Sequence, residues 1–129
     1  MIVNPKEIEK VSALESFERY KYFIKRVADN ELIYILLLQN GEYALSEIEN
    51  KILLPIWPAK EFVEICKING WENCNVKEIT LEEFENDIID YISESGYLIN
   101  VFPVFESTGF IVDLDEFAED LSNELNKYS

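Results

Sequence analysis

Residues 53–66 read LLPIWPAKEFVEIC, an apolar run carrying two prolines around Trp57 and leading into an amphipathic segment. A proline pushes the residue before it toward extended geometry and itself suits the first turn of a helix. The stretch therefore predicts a strand over 52–57 that ends at Trp57. It predicts a helix from Pro58 to about Lys67, with Phe62, Ile65 and Cys66 on the apolar side. Proline has no N–H to give to a ladder, so Pro55 places the strand at a sheet edge or at a bulge. Trp57 then has two readings. It can floor a small pocket at the strand end, with Trp71 and Tyr97 as neighbours. Alternatively it closes a core, since a tryptophan buries a large area and its flanking prolines fix the corner.

Working outward, Glu31–Gln39 (ELIYILLLQ) is too uniformly apolar for an exposed helix, and Asn40-Gly41 follows as a hairpin turn into 43–46. With 52–57 these segments form a meander. Asn4-Pro5-Lys6-Glu7 reads as a capped helix start, and 16–29 as a second helix, continuous with the first or separate, on Phe17, Tyr20, Phe23 or Ile24, and Val27. Residues 76–79 form a short strand. Thr80–Glu83 (TLEE) is a capping box opening a helix whose stripe is Leu81, Phe84, Ile88 and Ile92, stopped by Gly96. Strands at Tyr97–Phe105 and Phe110–Asp113 make a hairpin around Glu106-Ser107-Thr108 and Gly109. Asp113–Glu116 (DLDE) opens a last helix on Leu114, Phe117, Leu121 and Leu125. The order ααβββαβαββα predicts a single α+β domain over 1–129. Its sheet is mostly antiparallel, of about five to six strands, with N-terminal, middle and C-terminal helices packed on it. LPIW at 54–57 and FPVF at 102–105 echo one another, too briefly to establish a duplication.

The chain of 129 residues is long enough to bury a core without a staple. It has no histidine, which removes Ser/His/Asp and Cys/His catalysis and histidine-based zinc sites, and two cysteines cannot build an all-cysteine zinc site. Cys66 and Cys74 read as reduced structural thiols. No metal-ligand spacing and no phosphate-binding glycine loop is present, so neither a metal nor a cofactor is expected. The longest apolar run, Leu32–Leu38, is far short of the roughly 20 residues of a membrane span, and no leader is visible. The expectation is a soluble cytoplasmic protein.

The net charge of −15 is unevenly placed. Residues 1–79 hold 13 acidic and 10 basic side chains, net −3; residues 80–129 hold 13 acidic and one basic, Lys127, net −12. Such a field repels nucleic acid and anionic membranes and attracts a basic protein partner, although solubility alone also accounts for it. If it is functional, the stripes of the last two long helices turn inward and leave one acidic face, with Glu83, Asp87, Asp90, Glu116 and Asp120 as candidate contacts. Arg19 is a further candidate: its planar fork suits an anion or a partner carboxylate, while an internal ion pair is the commoner outcome in so acidic a chain.

Arg19-Tyr20 with Phe23, Leu54-Pro55-Ile56-Trp57-Pro58, Cys66, Trp71, the Leu81–Phe84 helix start and Val101-Phe102-Pro103 together resemble the bacterial family known as domain of unknown function 2750. The similarity covers about 16–127. Where the family has a tryptophan in the first strand, this chain has Tyr34 or no equivalent. The resemblance implies a bacterial cytoplasmic α+β domain and supplies no catalytic residue. In size and charge the chain is also similar in style to immunity proteins of toxin systems.

The reading is a non-catalytic protein-interaction module with an acidic helical face, immunity-like or regulatory. The alternative is a small-molecule binder or minor enzyme with a pocket near Trp57. The oligomeric state is left open.

Overall fold

A computed structural model describes residues 3–67, 70–104 and 107–127. Helices α1 (Pro5–Ser12) and α2 (Ser16–Asn30) lead into strand β1 (Leu32–Leu37). Strands β2 (Ser46–Ile48) and β3 (Lys51–Ile56), helix α3 (Lys60–Glu64) and strand β4 (Asn75–Thr80) follow. A rod made of α4 (Leu81–Glu83), a π turn (Phe84–Ile88) and α5 (Ile89–Ser95) comes next. Strands β5 (Leu98–Val101) and β6 (Phe110–Val112) and helix α6 (Leu114–Asn126) close the order. The protein is α+β, with six strands among the described residues, mostly antiparallel.

The capping signals do what their chemistry requires. Asn4 Oδ1 accepts from the Glu7 N–H at 2.9 Å, and Asp113 Oδ1 accepts from the Glu116 N–H at 2.8 Å. Thr80 Oγ1 accepts from the Glu83 N–H at 3.0 Å while Glu83 Oε1 accepts from the Thr80 N–H at 2.9 Å. Gly96 ends α5 at φ 71°, the left-handed region that glycine enters without strain. The first two helices are separate, because the chain leaves helical geometry between Ser12 and Ser16.

The strands form two sheets where one was expected. β1 and β4 pair antiparallel, and β2-β3-β5-β6 form a four-stranded sheet in that order. The β3–β5 pair is parallel, with Pro55 opposite Asn100, and the long crossover that a parallel pair needs is supplied by the chain from α3 to α5. β3 is thus an interior strand, which corrects the edge placement. Pro55 nevertheless falls at a break. It lies between the last β2 pair, Ser46 opposite Leu53, and Trp57, where β3 changes neighbour to β1. There Tyr34 and Trp57 exchange both backbone hydrogen bonds at 2.9 Å, joining the two sheets. A residue without an N–H fits this switch between partners.

Three further expectations are adjusted. Helix α3 opens at Lys60, because Trp57 is still bound to β1 and Ala59 is extended. The helix that follows Thr80 is not regular: the Ile89 N–H reaches back five residues to the Phe84 carbonyl. Strand β5 stops at Val101, where Phe102 takes φ 63°, so Pro103 lies beyond the strand and the echo of LPIW is not a structural repeat. Phe105 and Glu106, which the predicted hairpin included, lie outside the described residues.

The core sits between the inner sheet faces and the helices. Phe23 of α2, Phe117 of α6 and Phe84 of the π turn form a chain of rings with centroids 5.9 and 5.7 Å apart. Each such pair adds about 0.5–1.5 kcal/mol beyond the area it buries. Leu81, Phe84, Ile88 and Ile92 all face this core, as their spacing predicts.

Candidate functional site

Trp57 is fully buried. Its indole N–H donates to the Pro103 carbonyl at 2.8 Å, and its ring meets Trp71 edge-on at 5.9 Å. Cys66 Sγ donates to the same carbonyl at 3.2 Å, and burial pushes that thiol up to about 11. Tyr97 does not join this group. Its ring packs on Tyr91, 5.6 Å away, because Gly96 turns the chain back alongside α5.

Arg19 is also buried, at 2 % exposure, and among the described residues no carboxylate pairs with it. Its Nε donates to the Phe102 carbonyl at 3.1 Å, one terminal nitrogen donates to the Leu14 carbonyl, and the other to the Thr108 carbonyl at 3.0 Å and Ser107 Oγ at 3.4 Å. These acceptors are neutral, and burial lowers the guanidinium's proton affinity. The fork instead gathers backbone carbonyls from the α1–α2 turn and from the loop after β5. Arg19, Trp57 and Cys66 therefore converge on Phe102-Pro103, a turn whose positive φ at Phe102 is strained for a non-glycine residue. Their arrangement is a clamp on backbone, with the donors consumed inside the molecule.

The five acidic candidates divide into separate groups. Asp120 is half-buried and accepts from the Tyr20 hydroxyl at 2.6 Å. Burial raises the Tyr20 phenol first, then Asp120 through its hydrogen bond and charge, and Glu116 through its charge. These two carboxylates therefore belong to the α2–α6 seam. Asp90 is exposed on α5. Glu83 and Asp87 line a cleft of about 280 Å³ between the rod and the β1–β4 sheet. Its apolar floor includes Ile35, Ile79 and Ile88, and Tyr43, Lys77 and Gly41 complete its rim. The side of the rod toward α6 instead carries Glu85 and Ile89. The cause is geometric: residues four apart share a helix flank, and the rod is packed on two sides.

Within the cleft, Glu83 is committed to the capping box, and the Thr80 N–H is the main reason that its carboxyl lies below the usual range, with Lys77 a lesser one. Asp87 raises the Tyr43 phenol, after burial as the larger cause. Tyr43 stacks at a tilt on Tyr91, 4.8 Å away, so Tyr43, Tyr91 and Tyr97 form a continuous row of half-buried rings. Sequence reasoning missed Tyr43, Tyr91 and Lys77. A signal for Tyr91 existed in its spacing of four from Asp87 and eight from Glu83. Tyr43 and Lys77 arrive through the turn at Gly41 and the β1–β4 register, Ile35 opposite Lys77, which no local pattern reveals.

Among the described residues no group of three or more Cys, Asp or Glu side chains is placed to hold a metal ion, and no helix is long and apolar enough to cross a membrane.

The chain is thus an α+β domain with buried backbone clamps and an acidic, tyrosine-bearing cleft. It belongs to the family described as protein of unknown function (DUF2750), whose model matches residues 20–121. Among curated proteins, none matches the chain.

Proposed function

We propose that the protein is a non-catalytic interaction domain that takes a basic protein partner on the outer surface of the α4–α5 rod. One observation carries the reading: the rod is densely acidic and contributes no cation of its own, with Lys77 of β4 beside Glu83 as the cation of the adjoining cleft. Residues 80–129 have a single cation, Lys127, which follows the last residue of α6 and is paired with Glu124 at 3.2 Å. Glu82, Glu85, Asp87, Asp90 and Glu94 of the rod are exposed. Charges so disposed add little to folding and steer an oppositely charged protein at long range. An immunity-like or regulatory role in a bacterial cytoplasm is compatible with such a surface. The small-molecule alternative centred on Trp57 loses its anchor, since that ring is fully buried and its N–H is spent on Pro103.

The test is capture of partners from host lysate with the native chain and with a variant carrying Glu82→Gln, Glu85→Gln, Asp90→Asn and Glu94→Gln. The reading expects a basic partner whose capture by the native chain falls with salt and is lost with the variant. A partner retained equally by both chains at low and high salt would overturn it.

A further inference from the structure

The three tyrosines of the row pack one side against the core and keep the other partly open, and with the flanking clefts they add a specific geometry to the diffuse charge. Tyr43, Tyr91 and Tyr97 come from the turn after β1, from α5 and from the α5–β5 junction. Their centroid separations are 4.8 and 5.6 Å, so the row spans at most about 10 Å, close to the roughly 9 Å of one turn of polyproline II. The cleft at the Tyr43 end holds Asp87, which is exposed, whereas Glu83 is held in the capping box with Thr80. At the Tyr97 end lies a second cleft of about 500 Å³, lined by Asn50, Lys51, Ile52, Gly96 and Leu98, where Ile52 is 38 % exposed. A ridge of half-buried tyrosines between two hollows, one carrying two carboxylates with Lys77 and the other mixing Lys51, Asn50 and Ser95 with Ile52 and Leu98, has two unlike ends.

We propose that this ridge docks an extended, proline-containing segment of the partner, its arginine or lysine beside Asp87 and Tyr43 and its prolines across Tyr91 and Tyr97. The inference rests on the interaction reading above and deepens it. Polyproline II has no internal hydrogen bonds and little entropy left to lose, and its rings fit between aromatic side chains. The cation completes the match, because Asp87 supplies opposite charge and the Tyr43 face supplies a π surface. Lys77 lies in the same cleft beside Glu83, so Asp87 is the carboxylate left for the incoming cation. A free amine or amino acid would use the cleft and leave the ridge bare. The continuity of the three rings from one hollow to the other favours a segment of chain.

The probes are pooled decapeptides with prolines fixed three residues apart and an arginine fixed at either end, titrated into the full chain by fluorescence polarisation and mapped by amide chemical shifts. Saturable binding to an arginine pool is expected, with shifts centred on Tyr43, Tyr91 and Tyr97. Pools with glutamate for arginine, or glycine for proline, should bind about tenfold more weakly. Tyr91→Ala should cost about tenfold, and Asp87→Asn, an exposed change that leaves folding intact, about fivefold for the arginine pools alone. No saturation by any arginine pool at about 1 mM overturns the proposal. So does equal binding of the glycine pools, a shift map away from the ridge, or binding of arginine amide alone as tightly as the pools. If these peptides fail while the Glu82/Glu85/Asp90/Glu94 variant still loses its lysate partner, the docking mode is wrong and the interaction reading stands. If both fail, the interaction reading falls as well.

Discussion

The Trp57 indole N–H donates to the Pro103 carbonyl at 2.8 Å, tying residues 46 positions apart in sequence at the end of β3 and just beyond β5. The contact closes the corner that the two prolines around Trp57 begin. Trp57→Phe removes the donor and part of the volume and is expected to cost about 1–3 kcal/mol; Trp57→Ala, which also opens a cavity, about 3–5 kcal/mol. Urea unfolding measures both. A loss below about 1 kcal/mol for the alanine variant contradicts the core assignment.

Arg19 is expected to resist conservative replacement. A lysine ammonium cannot present the planar fork that reaches Leu14, Phe102 and Thr108 together, so Arg19→Lys should lose about 2 kcal/mol or more in the same assay. Unchanged stability would mean that the carbonyls find other donors.

Gly109 leaves no space for a side chain. A Cβ there would collide with the Val101 carbonyl oxygen and the Pro103 nitrogen, which are backbone, and with Asn100 Oδ1. Gly109→Ala should therefore cost about 3 kcal/mol, where an exposed change such as Glu94→Gln costs almost nothing.

Cys66 gives a pH signature. Its thiol rises from 9.0 to about 11 in the folded chain because burial disfavours the thiolate. The folded state thus holds its proton more tightly than the unfolded state. This contribution is fully present below about pH 9 and is lost as pH rises from about 9 to about 11. Cys66→Ala should flatten the fall of stability across that window. In native conditions at pH 8, Cys66 should react with a thiol reagent only as fast as the chain opens. Rapid stoichiometric labelling would contradict the buried placement.

Much of this fold was legible in the sequence wherever a local rule acts alone. The caps at Asn4, Thr80 and Asp113, the stop at Gly96 and the stripe from Leu81 to Ile92 are matters of nearest-neighbour chemistry, and each forms as read. What escaped depended on distant pairing. Pro55 marks a discontinuity, as its missing N–H demands, but whether that break lies at an edge or between β2 and β1 is decided by Tyr34, Ser46 and Asn100. The π turn at Phe84–Ile88 has no local signature. Arg19 shows the same limit: a buried guanidinium needs acceptors, and only the folded α1–α2 turn and the loop after β5 bring these carbonyls to it. The acidic residues could be counted but not sorted. Asp120 turns to Tyr20, whereas Asp87 turns to the cleft beside Tyr43.

The measurement that bears most directly on the central claim is the association rate of the captured partner with the native chain and with the Glu82/Glu85/Asp90/Glu94 neutralised variant, followed by stopped flow across a salt series. The account predicts that the native rate falls at least tenfold between about 50 and 500 mM salt, as screening shortens the reach of exposed charge, and that the variant starts slow and changes little. Equal rates for the two chains, insensitive to salt, with both folded to the same stability, would contradict it.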